Sequence, residues 1–292
     1  MQKFRWVRTP AALLALLFFL LHLPAVVGGV RDGMTIATVS VLPALFFFAV
    51  AADLVVSLTD GDLRPLSPKT SVFLLGALCG FPVGGIVCDR MCTRGALDRR
   101  DAARLLPFVN NASPAFLFGA AGQLFGDKRI GLLLFVSELA AAAVCCLPLR
   151  IKRPPVRHSS AGRATADVFF GAVDRGVQSM LRVTALLCLF SALLAALRGY
   201  FRHEAAFAAL AALLEIGNGT ARCAALFAAA PRAAVTLCAF GCGWSGLCVH
   251  MQILAVSKSV KVKYNRFLLG KAAEGALTAI FAFCGCKFML GY

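Results

Sequence analysis

Charge is scarce in this chain, and negative charge most of all. Only 14 of 292 residues are Asp or Glu, against 30 Lys or Arg, and the charged share is 15%. An ordinary soluble domain has about 25% charged and about 45–50% apolar residues. Here the apolar share is 60% and the mean hydropathy is +0.80. So little charge could not cover so much apolar surface in water. That excludes a cytosolic enzyme, a secreted disulfide scaffold and a disordered regulator. Catalytic signatures are missing as well: there is no H-E-x-x-H, no Walker loop and no G-x-S-x-G. Of the histidines His22, His158, His203 and His250, only His250 lies deep among polar neighbours. With no nucleophile–base pair, the chain reads as a non-enzyme without cofactor or metal.

Two abundances need interpretation. The twelve cysteines fall mostly inside apolar runs, where Cys behaves as a small hydrophobe. Cys88/Cys92 and Cys238/Cys242 have helical i, i+4 spacing but lack the His or second Cys pair that zinc requires. The net charge of +16 would suggest nucleic acid in a soluble protein. Here most basic residues sit in short segments between apolar runs, as the positive-inside rule requires. The partner they imply is a lipid bilayer and not nucleic acid.

The apolar runs give the organisation of an all-α polytopic membrane protein, with about seven spanning helices and two re-entrant hairpins. Lys3, Arg5 and Arg8 precede Ala11–Leu23, an uncleaved signal anchor (residues 1–33) with its N-terminus in the cytoplasm. A turn at Arg31-Asp-Gly33 is expected to return the chain into Met34–Leu58. Thr70–Val87 is broken by Gly76, Gly80, Pro82, Gly84 and Gly85 and flanked by basic segments on both sides. It reads as a hairpin that enters and leaves on one face, with Gly80, Pro82 and Gly84 at its tip. Leu105–Phe125 and Ile130–Leu149 complete a first repeat, residues 34–149. A basic cytoplasmic linker (150–176) carries Arg150, Lys152, Arg153, Arg157, Arg163 and Arg175. The second repeat (177–292) has a span at Val177–Leu197 and an apolar segment broken at Gly217-Asn-Gly219. It continues with an interrupted span at Ala233–Ser257 and a closing span at Phe267–Leu290. The two halves start on opposite faces, so they read as inverted repeats, the architecture of many secondary transporters.

The interruptions hold the candidate site. Asn110-Asn111-Ala-Ser113-Pro114 places two amides and a hydroxyl in one turn before a proline, which frees a backbone carbonyl. An unpaired group costs several kcal/mol in hydrocarbon, so water, solute or a neighbouring helix must supply partners. Glu215 and Asn218 lie at the matching tip in the second half. An acid at that depth is by default a functional group, either a proton or cation site or a partner for Arg222. Ser245, His250 and Gln252 line the next interruption. Arg182 and Lys271 read as snorkelling cations that remain available to neutralise an anion. Asp53, Glu138 and Glu274 read as members of structural pairs.

These strings resemble the YlbJ-type (SpoVV-like) sporulation integral membrane proteins with a nucleoside-recognition gate domain. The likeness rests on GFPVGG (Gly80–Gly85), LLPFVNNASPAF (Leu105–Phe116), LLEIGNG (Leu213–Gly219) and FGCGWSGLCVHMQ (Phe240–Gln252). Two departures stand out: Gly85-Ile86 replaces a basic residue, and Cys238, Cys242 and Cys248 enrich the second glycine motif. The resemblance implies a bacterial multi-pass protein of the outer forespore membrane that moves dipicolinic acid during endospore formation. It would bind the carboxylates at half-helix N-termini and cover the ring with Phe116 or Trp244. Two alternatives stay open: a nucleoside or nucleobase transporter with a gate domain, and a non-transporting sporulation scaffold. A homo-oligomer or another sporulation membrane protein stays open as partner.

Overall fold

The computed structural model describes residues 5–152, 154 and 165–291. Part of the expected basic linker, with Arg153, Arg157 and Arg163, lies outside the described residues, as does Lys3. Among the described residues every regular element is helical. In chain order these are α1 (Arg5–Leu21), α2 (Leu23–Ile36) and α3 (Leu42–Leu58), then α4 (Pro68–Cys79), α5 (Val83–Thr93) and α6 (Arg99–Leu105). A short α7 (Gly122–Leu124) precedes α8 (Lys128–Cys146) and α9 (Thr165–Leu197). The rest are α10 (Glu204–Leu214), α11 (Ile216–Ala225), α12 (Pro231–Trp244), α13 (Gly246–Val256) and α14 (Tyr264–Gly285). Wider π-helical turns occur at Ala37–Val41, Ala115–Ala121 and Cys286–Leu290.

Among the described residues, five helical runs are long and apolar enough to cross a bilayer: Leu23–Leu58, Lys128–Cys146, Thr165–Tyr200, Pro231–Val256 and Tyr264–Leu290. Seven were expected, and the difference has physical causes. The N-terminal run forms a shorter apolar helix, Thr9–Leu21. Leu105–Phe125 is not a continuous helix, because residues 109–113 leave helical geometry. Large apolar side chains such as Phe47, Leu181, Leu269 and Phe288 stand exposed on the outer surface. A bilayer, not water, is the solvent that suits them.

The turn expected at Arg31-Asp-Gly33 does not form. α2 runs through it, and a π-helical turn joins it to α3, giving a 36-residue run of about 54 Å. Glycine here serves close approach instead. A Cβ on Gly29 would lie 2.7 Å from the Ala192 Cα, and one on Gly33 would lie 2.8 Å from the Cys188 Cα. Further along, Gly176 faces Val50 and Phe46, so α2–α3 and α9 run antiparallel. Small residues at i, i+4 let two membrane helices pack backbone to backbone.

The order of elements in residues 23–146 recurs in 165–290. Each has a 36-residue apolar run, a pair of short helices packed on each other, an interrupted helix and a closing span. Asp53 ties the first run to its neighbours. Its carboxylate, 2% exposed, accepts from Arg90 Nε at 2.5 Å and from Arg175 Nε at 2.9 Å. This links α3 to α5 and α9, the structural pairing expected of it. Asp53→Asn is expected to destabilise the protein by about 1–3 kcal/mol, since both guanidinium groups lose their charged acceptor. Thermal unfolding in detergent, monitored by circular dichroism, checks it.

Candidate functional site

Residues 109–113 are non-helical and end at Pro114, and proline disfavours helical geometry in the residue before it. The exposed backbone finds partners on the hairpin α4–α5 and on two closing helices. Phe81 N donates to the Asn111 carbonyl at 2.9 Å, and Gly85 N donates to Asn110 Oδ1 at 2.9 Å. Ala112 N donates to Glu138 Oε1 on α8 at 2.8 Å. Lys271 Nζ on α14 donates to the Asn110 carbonyl at 3.3 Å. Gly80, with φ +79°, makes the sharp bend between α4 and α5. A Cβ there would lie 2.6 Å from the Ser113 Cβ, so the hairpin tip grips the first interruption directly.

The second half repeats this grip with different residues. The break falls at Glu215, not at Gly217–Gly219, which correctly marked the region but lie inside α11. Glu215 is extended and caps α11, its carboxylate accepting from Gly217 N at 2.9 Å and Asn218 N at 2.7 Å. A carboxylate fits a helix N-terminus because unpaired N–H groups converge there. Gly219 is needed for contact, since its Cβ would lie 2.5 Å from the Ala212 Cα. Between α12 and α13 the chain turns at Ser245 and Gly246, both with φ +71°. Gly246 packs on the Glu215 backbone, and Trp244 Nε1 donates to the Leu213 carbonyl at 2.9 Å.

Both grips border a cavity of about 440 Å³. Phe81 comes from the first tip, Ser113 from the first interruption, Glu215 and Gly217 from the second tip and Gln252 from α13. Ser40 and Gln123 complete its polar lining, and Phe116 adds an aromatic wall. Glu215 is the one ionisable residue among those lining it.

The remaining expected residues stand behind this lining. Asn110 is consumed by Gly85 N and the Leu106 carbonyl, whereas both polar atoms of the buried Asn111 amide lack a protein partner. Asn218 braces Glu215 Oε2 at 2.7 Å and Ser191 Oγ at 3.1 Å. Ser245 and His250 are fully buried. His250 Nε2 donates to the Trp244 carbonyl at 2.7 Å, and Ser245 Oγ to the Cys242 carbonyl at 3.3 Å. Pro82 and Gly84 belong to the first hairpin's packing. Arg182 is half-buried and outside the lining. Lys271 does not snorkel: it is fully buried and donates to Glu274 Oε2 at 2.9 Å. Arg222 lies 5.1 Å above the Phe207 ring, with no ion pair to Glu215.

Phe81, Ser40 and Gln123 were not foreseen as lining. The signal was faint but physical, because Ser40 lies in the first π-helical stretch and Gln123 lies two residues beyond the end of the second. Such wider turns concentrate at functional sites.

These features define a polytopic helical membrane protein in which two hairpins of short helices grip two interrupted helices around a mainly apolar cavity that holds a few polar side chains. The chain is similar to the sporulation integral membrane protein YlbJ of Bacillus subtilis (strain 168). They are 22% identical over 307 residues, which covers 86% of this chain and 75% of that protein. No family model matches the chain, and no solved structure gives a significant match.

Proposed function

We propose that this protein is a membrane transporter for a small polar solute in endospore formation, with dipicolinic acid as that solute. The observation that carries the reading is the cavity of about 440 Å³ bordered by both hairpin tips and the first interruption. Its size falls within the range of about 300–1,000 Å³ usual for small-molecule sites. Irregular backbone at membrane depth is tolerated where it is buried in protein or lines a watery space. The recurring element order and the antiparallel long helices support an inverted repeat, in which substrate sites lie at the repeat interface. Phe81 and Phe116 offer faces for a planar ring, while Ser113, Ser40, Gln123 and Gln252 offer hydroxyl and amide donors. The similarity to YlbJ supports the sporulation setting. An outer forespore membrane location and a cytoplasmic N-terminus complete the proposal.

One observation favours a second reading. With Glu215 as the one ionisable lining residue, the cavity suits a neutral, donor-rich solute such as a nucleoside better than a dianion. A non-transporting scaffold would carry no flux at all. Uptake of labelled dipicolinate by the purified protein in liposomes decides among these. The proposal expects saturable uptake that excess uridine leaves intact. Uridine uptake without dipicolinate uptake selects the nucleoside reading, and absence of both selects the scaffold. Gln252→Ala should reduce uptake of the true substrate at least tenfold, the effect of losing about 1.4 kcal/mol of binding.

A further inference from the structure

The first interruption is held from behind by ionisable groups that the cavity does not use. Glu138 lies near the middle of α8, and Lys271 and Glu274 lie one turn apart on α14. Their exposures are 1%, 0% and 0%. Lys271 Nζ bridges the Asn110 carbonyl at 3.3 Å and Glu274 Oε2 at 2.9 Å, while Glu138 Oε1 takes Ala112 N at 2.8 Å. The charges of Glu274 and Lys271 both act on Glu138. Also within electrostatic reach are the thiols of Cys238 and Cys242 on α12 and of Cys145 and Cys146 on α8, and the imidazole of His250 on α13.

Two carboxylates against one ammonium leave an excess negative charge in a place where burial makes charge expensive. Four buried polar atoms here also lack any protein partner: Glu138 Oε2, Glu274 Oε1, and both Oδ1 and Nδ2 of Asn111. A metal cation would find only three free oxygens among them, with the Lys271 ammonium beside Glu274 to repel it. A proton needs no coordination shell, and it turns an unpartnered carboxylate oxygen into a hydrogen-bond donor.

We propose that Glu138, Glu274 and Lys271 form a one-proton site on the two closing helices, beside the Asn110–Ser113 interruption. The proton adds to one carboxylate oxygen to give a neutral carboxylic acid, Lys271 keeps its charge, and release restores the carboxylate. The buried cluster is then neutral with the proton bound and carries one negative charge without it. Because Lys271 and Glu138 hold the backbone at Asn110 and Ala112, gain or loss of the proton acts directly on the interruption. Use of this proton to drive solute movement rests on the transport reading above.

The site is tested by counting titrating carboxylic acids in the purified full-length protein, using the infrared carbonyl band across a pH series. Glu138→Gln and Glu274→Gln are each expected to lose one acid per chain, and Lys271→Met to gain one. Size-exclusion chromatography verifies folding, and either Gln variant decides the matter if the other fails to fold. An unchanged band in a folded Gln variant overturns the site. So does displacement of the band when sodium chloride replaces choline chloride at fixed pH, which would mark a metal cation site. Coupling has its own readout, the ratio of dipicolinate flux with and without an inward proton gradient. It should be severalfold in the native protein and fall to one in Glu274→Gln. A native ratio of one removes the coupling while the acid count still stands, and absence of any flux removes the transport reading instead.

Discussion

Gly84→Ala is expected to cost at least about 3 kcal/mol and to leave little folded protein, because the added methyl group meets backbone. Its Cβ would lie 1.8 Å from the Val109 carbonyl oxygen and 2.7 Å from the Val109 carbonyl carbon. From the other arm of the hairpin, a Cβ on Gly76 would meet the same oxygen at 1.8 Å. Two glycines thus clamp one carbonyl, and neither neighbour can yield by rotating a side chain. Overpacking costs about 1–3 kcal/mol where side chains can move. Here relief requires displacing a segment anchored by Phe81 N on Asn111 and Gly85 N on Asn110. Each buried group orphaned by that movement adds about 1–3 kcal/mol. Gly28→Ala is the control, since nothing lies within 4 Å of its added Cβ. Thermal unfolding and the yield of monodisperse protein are the measurements, and equal midpoints for the two variants would refute the clamp.

That clamp also shows what could be read from the residues and what could not. GALCGFPVGG (Gly76–Gly85) announces a break between two short helices, and the bend at Gly80–Pro82 is where it was expected. Asn110–Ser113 was legible for the same reason, because two prolines and two amides in an apolar run conflict with a plain span. What the pattern did not disclose is which carbonyl the glycines admit, since that depends on a partner 25 or more residues away. Gly33 failed differently: a glycine beside Arg31-Asp32 looks like a turn, yet its i, i+4 spacing from Gly29 serves helix packing just as well. Lys271 was misread as a snorkelling side chain although Glu274 stands three residues on, within pairing distance on a helix. Glu215 was recognised as costly at depth, but its use as a helix cap could be seen only once the bend moved from Gly217 to Glu215. The cavity itself was invisible, because its lining comes from separate stretches spread from Ile36 to Gln252.

The bend at Glu215 leads to the prediction that separates the candidate solutes. Its carboxylate accepts from Gly217 N, Asn218 N and Asn218 Nδ2 while facing the cavity. Glu215→Ala removes every one of these acceptors and should cost about 1–3 kcal/mol for each buried donor left unpaired, with flux lost along with the fold. Glu215→Gln keeps one acceptor oxygen and the side-chain length, so the loss of stability should be smaller, about 0.5–2 kcal/mol as for other cap changes. What it removes is the charge. At an effective dielectric near 20, two unit charges about 6 Å apart interact by roughly 3 kcal/mol, so neutralising Glu215 should raise the affinity for a dianion tenfold or more. A neutral nucleoside would feel no comparable change. The KM for dipicolinate uptake in liposomes should therefore fall at least tenfold in Glu215→Gln, whereas a nucleoside carrier would keep its KM for uridine. An unchanged dipicolinate KM in a folded Gln variant would mean that the permeating solute never approaches the cap, and the cavity would lose its place on the pathway.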